Sequence, residues 1–284
     1  MFFLEYKTSY DVTAALPQAK EGVKYALDRL ADSTRGLTFD EKEHRYFLHG
    51  REMASVSSIV EAYAPFDKYG TAAKCSVNPR HKFFGKPVEE IVAIWEADGL
   101  AAAQAGTDVH AFGEACALFM QGRLDEIEEP FRDRITPQGL RADTPKEEAV
   151  ARWWSDQDWW RFTIVAKETR IVNPVLGYAG TFDLLLYDVL DNTYHVRDYK
   201  TNRDLYKWYG DMLLPPLNML KRNDIGKYTV QQTSYTIELR NLDLDIRSNE
   251  LIWLKEREYE TVQLPMNYDR VVAYAIKQVR LSAK

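Results

Sequence analysis

Two aspartates and a lysine stand in a stretch of sequence that otherwise has the pattern of two β-strands joined by a turn. Residues 180–202 read GTFDLLLYDVLDNTYHVRDYKTN and carry Asp183, Asp198 and Lys200 among apolar residues. Carboxylate oxygens that meet at one point bind hard divalent cations such as Mg²⁺. A lysine beside such a cation is repelled by it and is free to act on a bound anion. The stretch therefore predicts a metal site with a lysine next to it.

The register of this hairpin decides whether the two carboxylates meet. If the turn is centred between Leu190 and Asp191, Asp183 lies directly opposite Asp198, and their Cβ atoms are about 4.5–5.5 Å apart. Side chains alternate along a strand, so Lys200 points to the same face as Asp198. Two carboxylates so close repel each other unless a cation lies between them. The alternative is that these are exposed charges on the wet face of an antiparallel pair, which a D-x-K motif alone does not exclude.

Three further motifs supply groups that could complete such a site. GTDVH places His110 on a helix that precedes the hairpin, and TIVAKETRIV places Glu168 on the strand before it. QQTSY places Gln231 and Tyr235 one helical turn apart on a helix that follows the hairpin. These motifs favour a functional interpretation of the two aspartates over the exposed-charge alternative.

The elements that must position these residues alternate between helices and strands. Thr107 is the predicted N-cap of the helix that carries His110, and Gly122 is its predicted C-terminal stop. Ser57 or Ser58 is the predicted cap of an earlier helix. Helices flank a mixed sheet of about five strands, which predicts an α/β or α+β fold with one core. A single domain is expected over residues 1–284, with an N-terminal helical and hairpin extension, about residues 1–60, packed on it.

One segment is basic although the chain as a whole is acidic, with a net charge of −6. Residues 68–86 contain five lysines or arginines and no aspartate or glutamate, with Tyr69, Phe83 and Phe84 interleaved. Such a pattern suits a segment that follows nucleic-acid phosphates and stacks aromatic rings on bases. A solvated loop with a few core anchors is the alternative interpretation.

Composition excludes several classes of protein. With only Cys75 and Cys116, the chain has no disulfide framework and no four-cysteine cluster for zinc or iron–sulfur. The sequence contains no P-loop, no H-E-x-x-H and no G-x-S-x-G motif. It has no run of eighteen apolar residues, and Glu5 interrupts the apolar start too early for a signal peptide, so no membrane partner is expected and a reducing cytoplasm is the default.

Taken together and in this order, the motifs resemble those of the PD-(D/E)XK nuclease superfamily, specifically its RecB-like branch. The pattern of that branch is G-T-x-x-H-x-x-x-E, then G-x-x-D, then D-x-K-T, then Q-x-x-x-Y. The corresponding segments here are GTDVHAFGE, GTFD, DYKT and QQTSY, and HRYFLHGREMASVSSIV looks like the segment that precedes them in phage-encoded and mitochondrial-type members. The resemblance spans about residues 44–240. It implies a restriction-endonuclease-like core and a metal-dependent DNA nuclease.

Carried over position by position, the resemblance also implies a role for each matching residue. Glu114 would lie behind the metal ligands, with an ordinary surface position as the alternative, and Glu168 would be an outer group or a ligand of a second metal. Lys200 would be the catalytic lysine, and Gln231 and Tyr235 would organise the site and the phosphate path. The implied metal ligands are His110, Asp183, Asp198 and the carbonyl of Tyr199, and the expected DNA-binding residues are Lys74, Arg80, Lys82, Lys86, Thr201 and Tyr235.

The resemblance implies cofactors and partners as well. Mg²⁺ or Mn²⁺ is expected. Because the histidine ligand is softer than oxygen, Mn²⁺ is expected to support activity as well as or better than Mg²⁺. Iron–sulfur and ATP are not expected, because the cysteines and the P-loop are missing. DNA ends are the expected substrate of a stand-alone, phage-type exonuclease in recombination or DNA processing, in the cytoplasm of a bacterial or phage-infected cell. A structure-specific or restriction-type endonuclease and a catalytically silent binding module are the alternatives. A homo-oligomer and a recombination partner protein are compatible with the resemblance.

Overall fold

The computed structural model describes residues 1–282, which form eight α-helices and eleven β-strands. The helices are α1 (Thr8–Ala15), α2 (Pro17–Ser33), α3 (Val56–Tyr63), α4 (Lys68–Val77), α5 (Val88–Met120), α6 (Pro145–Asp156), α7 (Asp224–Asn241) and α8 (Asp269–Ser282). The strands are β1 (Phe2–Leu4), β2 (Leu37–Asp40), β3 (Arg45–Leu48), β4 (Arg51–Ser55), β5 (Ile135–Thr136), β6 (Gly139–Ala142), β7 (Phe162–Asn173), β8 (Tyr178–Asp188), β9 (Thr193–Lys200), β10 (Ile246–Leu254) and β11 (Tyr259–Gln263). Within this described part, no helix combines the length and the apolar character that a membrane crossing requires.

The chain divides into two compact units. The larger unit holds residues 1–64 together with the described residues from His110 onward. The smaller unit holds residues Pro65–Val109, which include α4 and the first part of α5. The single nuclease domain expected over residues 1–284, with its N-terminal extension, stays a prediction.

A mixed sheet of eight strands forms the centre of the larger unit, rather than the predicted sheet of about five. Five strands, β7 to β11, lie in the order β7-β8-β9-β10-β11, with β9 and β10 parallel and the other neighbours antiparallel. The three additional strands are the N-terminal meander β2-β3-β4, which joins the sheet where β4 runs parallel to the start of β8. A separate sheet has the order β1-β6-β5. The mixed α/β class is as predicted, and the extra strands come from the segment expected to be a hairpin extension.

The central strands β8 and β9 are covered on both faces. Every residue of β8 except Thr181 and every residue of β9 except Lys200 is buried. Helices α2, α3, α7 and α8 supply apolar side chains to the core cluster that includes Phe182, Leu185 and Val196. The two aspartates are therefore not on a wet face, so the exposed-charge alternative is wrong. His195 of β9 is buried as well, with Ser248 Oγ 2.7 Å from its Nδ1.

Two predicted helix boundaries are wrong in an informative way. Helix α5 runs without interruption for 33 residues, so Thr107 is not its N-cap; instead the Thr107 hydroxyl donates to the carbonyl of Ala103, 3.1 Å away. The alanine-rich LAAAQAG segment has high helix propensity and continues the helix through this point. The cap of α3 is Ser55, whose Oγ accepts from the Ser58 N–H at 3.0 Å. The C-terminal stop at Gly122 is confirmed, since α5 ends at Met120 and Gly122 has a φ of +69°.

Candidate metal centre

Strands β8 and β9 place Asp183 and Asp198 at facing positions. Their ladder pairs Leu184 with Arg197 and continues from there toward the turn. One more step in the same register sets Asp183 opposite Asp198, which is the register that the alternation and the turn residues predicted. Both aspartates are buried. The hairpin thus brings two acidic side chains to one place inside the protein.

Three potential metal ligands from three different elements converge beside this hairpin. His110 lies on α5, Glu168 on β7 and Asp183 on β8. The Nδ1 atom of His110 is 3.3 Å from Oδ2 of Asp183 and 3.6 Å from Oε1 of Glu168. One ligand atom from each residue lies within 4.8 Å of the other two. Asp183 is buried while His110 and Glu168 are partly open to solvent, so the group is accessible from one side.

Glu168 reaches this group from an unusual backbone conformation. Its φ is +41°, and it lies between the paired residues Lys167 and Thr169 of β7. A residue with a side chain in this left-handed region costs about 1–3 kcal/mol, and such strain is common at functional sites. The sequence suggested only an outer or second-metal role for Glu168, because a backbone outlier inside a strand leaves no mark in residue periodicity.

Asp183 and His110 hold each other in their ionised forms, whereas burial raises the pKa of Glu168. Burial alone would raise the pKa of Asp183, but His110 and the Tyr199 N–H, which donates to Asp183 Oδ2 at 2.7 Å, bring that pKa below its ordinary value. Burial alone would lower the pKa of His110, but Asp183 and Glu168 outweigh it and raise the pKa to about 11. The carboxylates therefore stabilise a positive charge at the position of the imidazole.

Asp198 lies deeper and is held by a glutamine and a lysine. Its Oδ1 accepts from Gln232 Nε2 at 2.7 Å, and its Oδ2 forms an ion pair with Lys200 Nζ. Burial raises the pKa of Asp198, and the charge of Asp183 adds to this rise. Burial would lower the pKa of Lys200, but Asp198 raises it above its ordinary value, so the lysine is a cation.

An aromatic residue supports the lysine from the other side. Lys200 Nζ lies 4.4 Å from the centre of the Tyr228 ring, which is close enough for a cation–π interaction. The Tyr228 hydroxyl donates to Asn202 Oδ1 at 2.7 Å. Asp198 and Tyr228 together hold the Lys200 ammonium beside the two facing aspartates, Asp183 and Asp198.

The glutamine that touches Asp198 is not the one that the motif selects. Gln231 donates instead to the Tyr235 hydroxyl at 3.0 Å, and Tyr235 is buried. The missed residue is Gln232, and a signal for it was present. Three buried polar residues at helical spacing, Thr229, Gln232 and Thr236, form a stripe on α7 that an amphipathic surface helix would not have.

Glu114 lies beside the ligand group and is paired with a lysine. Its Oε1 contacts Lys167 Nζ, on the residue that precedes Glu168 in β7. Glu114 and Lys167 line a small recess whose wall also includes Asp183 and Tyr199. The carboxylate of Glu114 is therefore paired with Lys167 and is not directed at His110.

The ligand group fits a divalent metal ion. It offers one imidazole nitrogen and carboxylate oxygens, a donor set that suits Mn²⁺ and, through its oxygens, Mg²⁺. His110, Glu168 and Asp183 would hold the ion, with Asp198 on the facing strand beside them.

A glycine of α5 makes room for the tyrosine that positions Asp183. A Cβ on Gly113 would lie 2.6 Å from the Tyr199 ring, whereas a Cβ on Gly99 of the same helix would meet nothing within 4 Å. We expect Gly113→Ala to lower the free energy of unfolding by about 1–3 kcal/mol, because the buried ring must move. Gly99→Ala is the matched control and should raise it by about 0.5–1 kcal/mol through helix propensity. Urea denaturation of both variants tests this, and equal stabilisation would contradict the packing at Gly113.

The predicted DNA-binding residues 74–86 belong to the smaller unit. Lys74, Arg80 and Lys82 are exposed, whereas Lys86 forms an ion pair with Glu90 of α5. Phe83 is buried and packs against Trp95, so it cannot stack on bases as the sequence suggested. The first ten residues of the basic segment form α4 rather than a loop.

Two further expected DNA-binding residues belong to the larger unit. Thr201 follows β9 directly, and its carbonyl lies 3.4 Å from Lys146 Nζ. Tyr235 is buried, and its hydroxyl is engaged by Gln231. Their contact with nucleic acid stays a prediction.

Comparisons with known proteins find similarity among solved structures. No family model matches the sequence, and no curated protein matches it either. Among solved structures, the chain is similar to a protein of Eubacterium rectale that is named "Putative exonuclease". The two share 16% sequence identity with a TM-score of 0.41, over 81% of this chain and 79% of the other.

Proposed function

We propose that this protein is a metal-dependent nuclease of the PD-(D/E)XK type that hydrolyses phosphodiester bonds in DNA. The observation that carries the proposal is the convergence of His110, Glu168 and Asp183 to within 4.8 Å of one another, next to the Asp198–Lys200 pair. A stand-alone exonuclease that acts on DNA ends in recombination or DNA processing is the form that we favour.

The residues of the site divide the work between binding and charge stabilisation. His110, Glu168 and Asp183 would hold Mg²⁺ or Mn²⁺, and the ion would supply an acidic water and polarise the phosphate when bound. Lys200 carries a fixed positive charge that stabilises negative charge as it develops on the attacked phosphate. Gln232 and Lys200 keep Asp198 oriented, and the Tyr199 N–H does the same for Asp183.

A binding module with the same fold is the rival that belongs to another functional class. Burying carboxylates costs several kcal/mol each unless charges or hydrogen bonds compensate them. A protein that only holds DNA gains nothing from aiming Asp183 and Glu168 at one histidine, since acidic groups repel phosphates. The ligand group therefore supports catalysis over simple binding.

Linear and circular DNA substrates distinguish an exonuclease from an endonuclease. Purified protein is incubated with end-labelled linear and circular DNA, each single- and double-stranded, in Mg²⁺, Mn²⁺ or EDTA. We expect metal-dependent release of short products from linear DNA and intact circles. Nicked or linearised circles would support the endonuclease alternative. Binding without any cleavage in either metal would support the binding module.

The exposed basic residues of the smaller unit give a separate prediction. If Lys74, Arg80 and Lys82 contact phosphates, replacing all three with alanine should weaken DNA binding and reduce the slope of log K against log salt. The expected reduction is about 0.7 per lost single-strand contact, or about 2 for three contacts. The measurement is a set of DNA-binding titrations across a range of salt concentrations.

The matched control removes three exposed basic residues from another helix. Lys20, Lys24 and Arg29 lie on α2 and are exposed. Their triple alanine variant has the same change of net charge and should keep the wild-type slope. An unchanged slope in the Lys74, Arg80 and Lys82 variant would assign that segment to an ordinary solvated surface.

A further inference from the structure

We propose that the connection between β9 and α7 is a platform on which the unpaired bases of single-stranded DNA stack. This aromatic loop covers residues 203–222 and reads RDLYKWYGDMLLPPLNMLKR. The inference rests on the proposed function and adds to it a class of substrate, a single strand, and the surface that would select it.

Residues 206–209 of the aromatic loop include three aromatic side chains that are exposed to solvent. Tyr206 is 50% exposed, Trp208 is 43% exposed and Tyr209 is 78% exposed. Aromatic residues are usually well covered in a folded protein, and a group of exposed ones marks a binding surface. The exposed surface of these rings is available to a planar partner.

The exposed rings belong to an ordered framework rather than a loose chain. Leu205, Leu213 and Leu217 are fully or almost fully buried and anchor the aromatic loop to the cores beneath it. The Leu213 N–H donates to the carbonyl of Leu220 at 2.9 Å, and Trp208 Nε1 donates to the carbonyl of Asp211. Because the loop is anchored in the free protein, stacking a base would cost little further ordering.

The charge of the aromatic loop suits a polyanion. The loop contains four basic and two acidic residues, whereas the chain as a whole has a net charge of −6. Both acids are engaged locally: Asp204 Oδ1 accepts from the backbone N–H groups of Tyr206 and Lys207, and Asp211 pairs with Arg222. Lys207 lies 5.2 Å from the centre of the Tyr209 ring, so a base on that ring would have a cation beside its phosphate.

A short series of contacts joins the aromatic loop to the catalytic lysine. The rings of Tyr206 and Trp253 have centres 5.9 Å apart, and Trp253 Nε1 donates to the carbonyl of Asn202 at 2.7 Å. Asn202 accepts from Tyr228, whose ring lies under Lys200. Tyr206 lies six positions after Lys200 in the chain, which places their Cα atoms at most about 22 Å apart. A strand that passes the aromatic loop can therefore reach the proposed metal centre.

These observations favour a single strand over a duplex or a protein. A duplex keeps its bases stacked on one another and presents only edges and phosphates, so exposed rings gain little from it. Unpaired bases offer a free face to each ring regardless of sequence. The cations next to Trp208 and Tyr209 suit phosphates, which an apolar protein surface would not supply.

The test separates stacking from charge by removing the bases. Fluorescence anisotropy in EDTA, where hydrolysis lacks its metal, measures binding of a labelled oligothymidylate and of the same oligomer with abasic residues. The variants are Trp208→Ala/Tyr209→Ala, and Tyr209→Ala alone because Tyr209 has the most exposed ring. Trp160→Ala/Tyr25→Ala is the control, since both residues are exposed outside the aromatic loop.

We expect the double loop variant to bind oligothymidylate about 30-fold more weakly than wild type, at the lower end of the range for two stacked bases. The abasic oligomer should bind wild type and variant alike, and the control should match wild type. Equal loss on both oligomers, or no loss on either, would overturn the inference. If wild type cleaves DNA in that case, the proposed function stands alone; if wild type neither binds nor cleaves DNA, both are wrong.

Discussion

Replacing Asp183 with asparagine is expected to abolish divalent metal binding and DNA cleavage together. Asp183 is the buried member of the ligand group, and its Oδ2 lies 3.3 Å from His110. An amide keeps the shape of the side chain but removes the negative charge that holds a cation. We expect metal affinity to fall by about 100-fold or more and the cleavage rate by about 1000-fold or more.

Calorimetric titration of Mn²⁺ into the wild type and the Asp183→Asn variant measures the first effect. Asp191→Asn is the control, because Asp191 lies in the turn of the same hairpin and pairs only with Arg161 among the described residues. The control should bind metal as the wild type does. Wild-type affinity in the Asp183 variant would mean that the ion binds elsewhere and that the ligand group is structural.

Replacing Lys200 with alanine is expected to separate metal binding from chemistry. An ammonium has no lone pair and cannot be a ligand, so metal affinity should stay close to that of the wild type. The cleavage rate should fall by about 100-fold or more, the loss typical of one donor that stabilises a transition state. Lys200 also neutralises buried Asp198, so the variant should be less stable without metal than with it.

Single-turnover cleavage, metal calorimetry and urea denaturation are therefore measured on the same preparation of this variant. Lys24→Ala, on the exposed surface of α2, controls for the loss of a positive charge. Lys200→Gln provides a polar replacement if the alanine variant does not fold. Wild-type cleavage by either folded Lys200 variant would make the lysine structural and would favour the binding module.

Local patterns in the sequence were sufficient for the hairpin and for the long helix α7. The register that faces Asp183 with Asp198 followed from two-residue alternation and from a turn centred between Leu190 and Asp191. The helix predicted to carry Gln231 and Tyr235 after the hairpin is α7. In these elements, the preference of each residue agrees with the fold around it.

The remaining features depend on tertiary contacts that no local pattern records. The φ of +41° at Glu168 and the contact of Gln232 with Asp198 arise from how β7 and α7 pack on the hairpin. Thr107 was taken for a cap because threonine is common at that position, but helix propensity on both sides continued α5. Strands β8 and β9 are buried because other elements cover both of their faces. Their charged residues had left a strand pair with one wet face as an alternative.

The group of His110, Glu168 and Asp183 is expected to hold the metal ion on which DNA cleavage depends. The most direct measurement is the single-turnover cleavage rate of end-labelled DNA as Mn²⁺ or Mg²⁺ is added to metal-stripped protein, for wild type and Asp183→Asn. We expect no cleavage without metal, saturable cleavage by the wild type, and almost none by the variant at any metal concentration. Cleavage that persists in EDTA, or equal rates for the two proteins, would contradict this expectation.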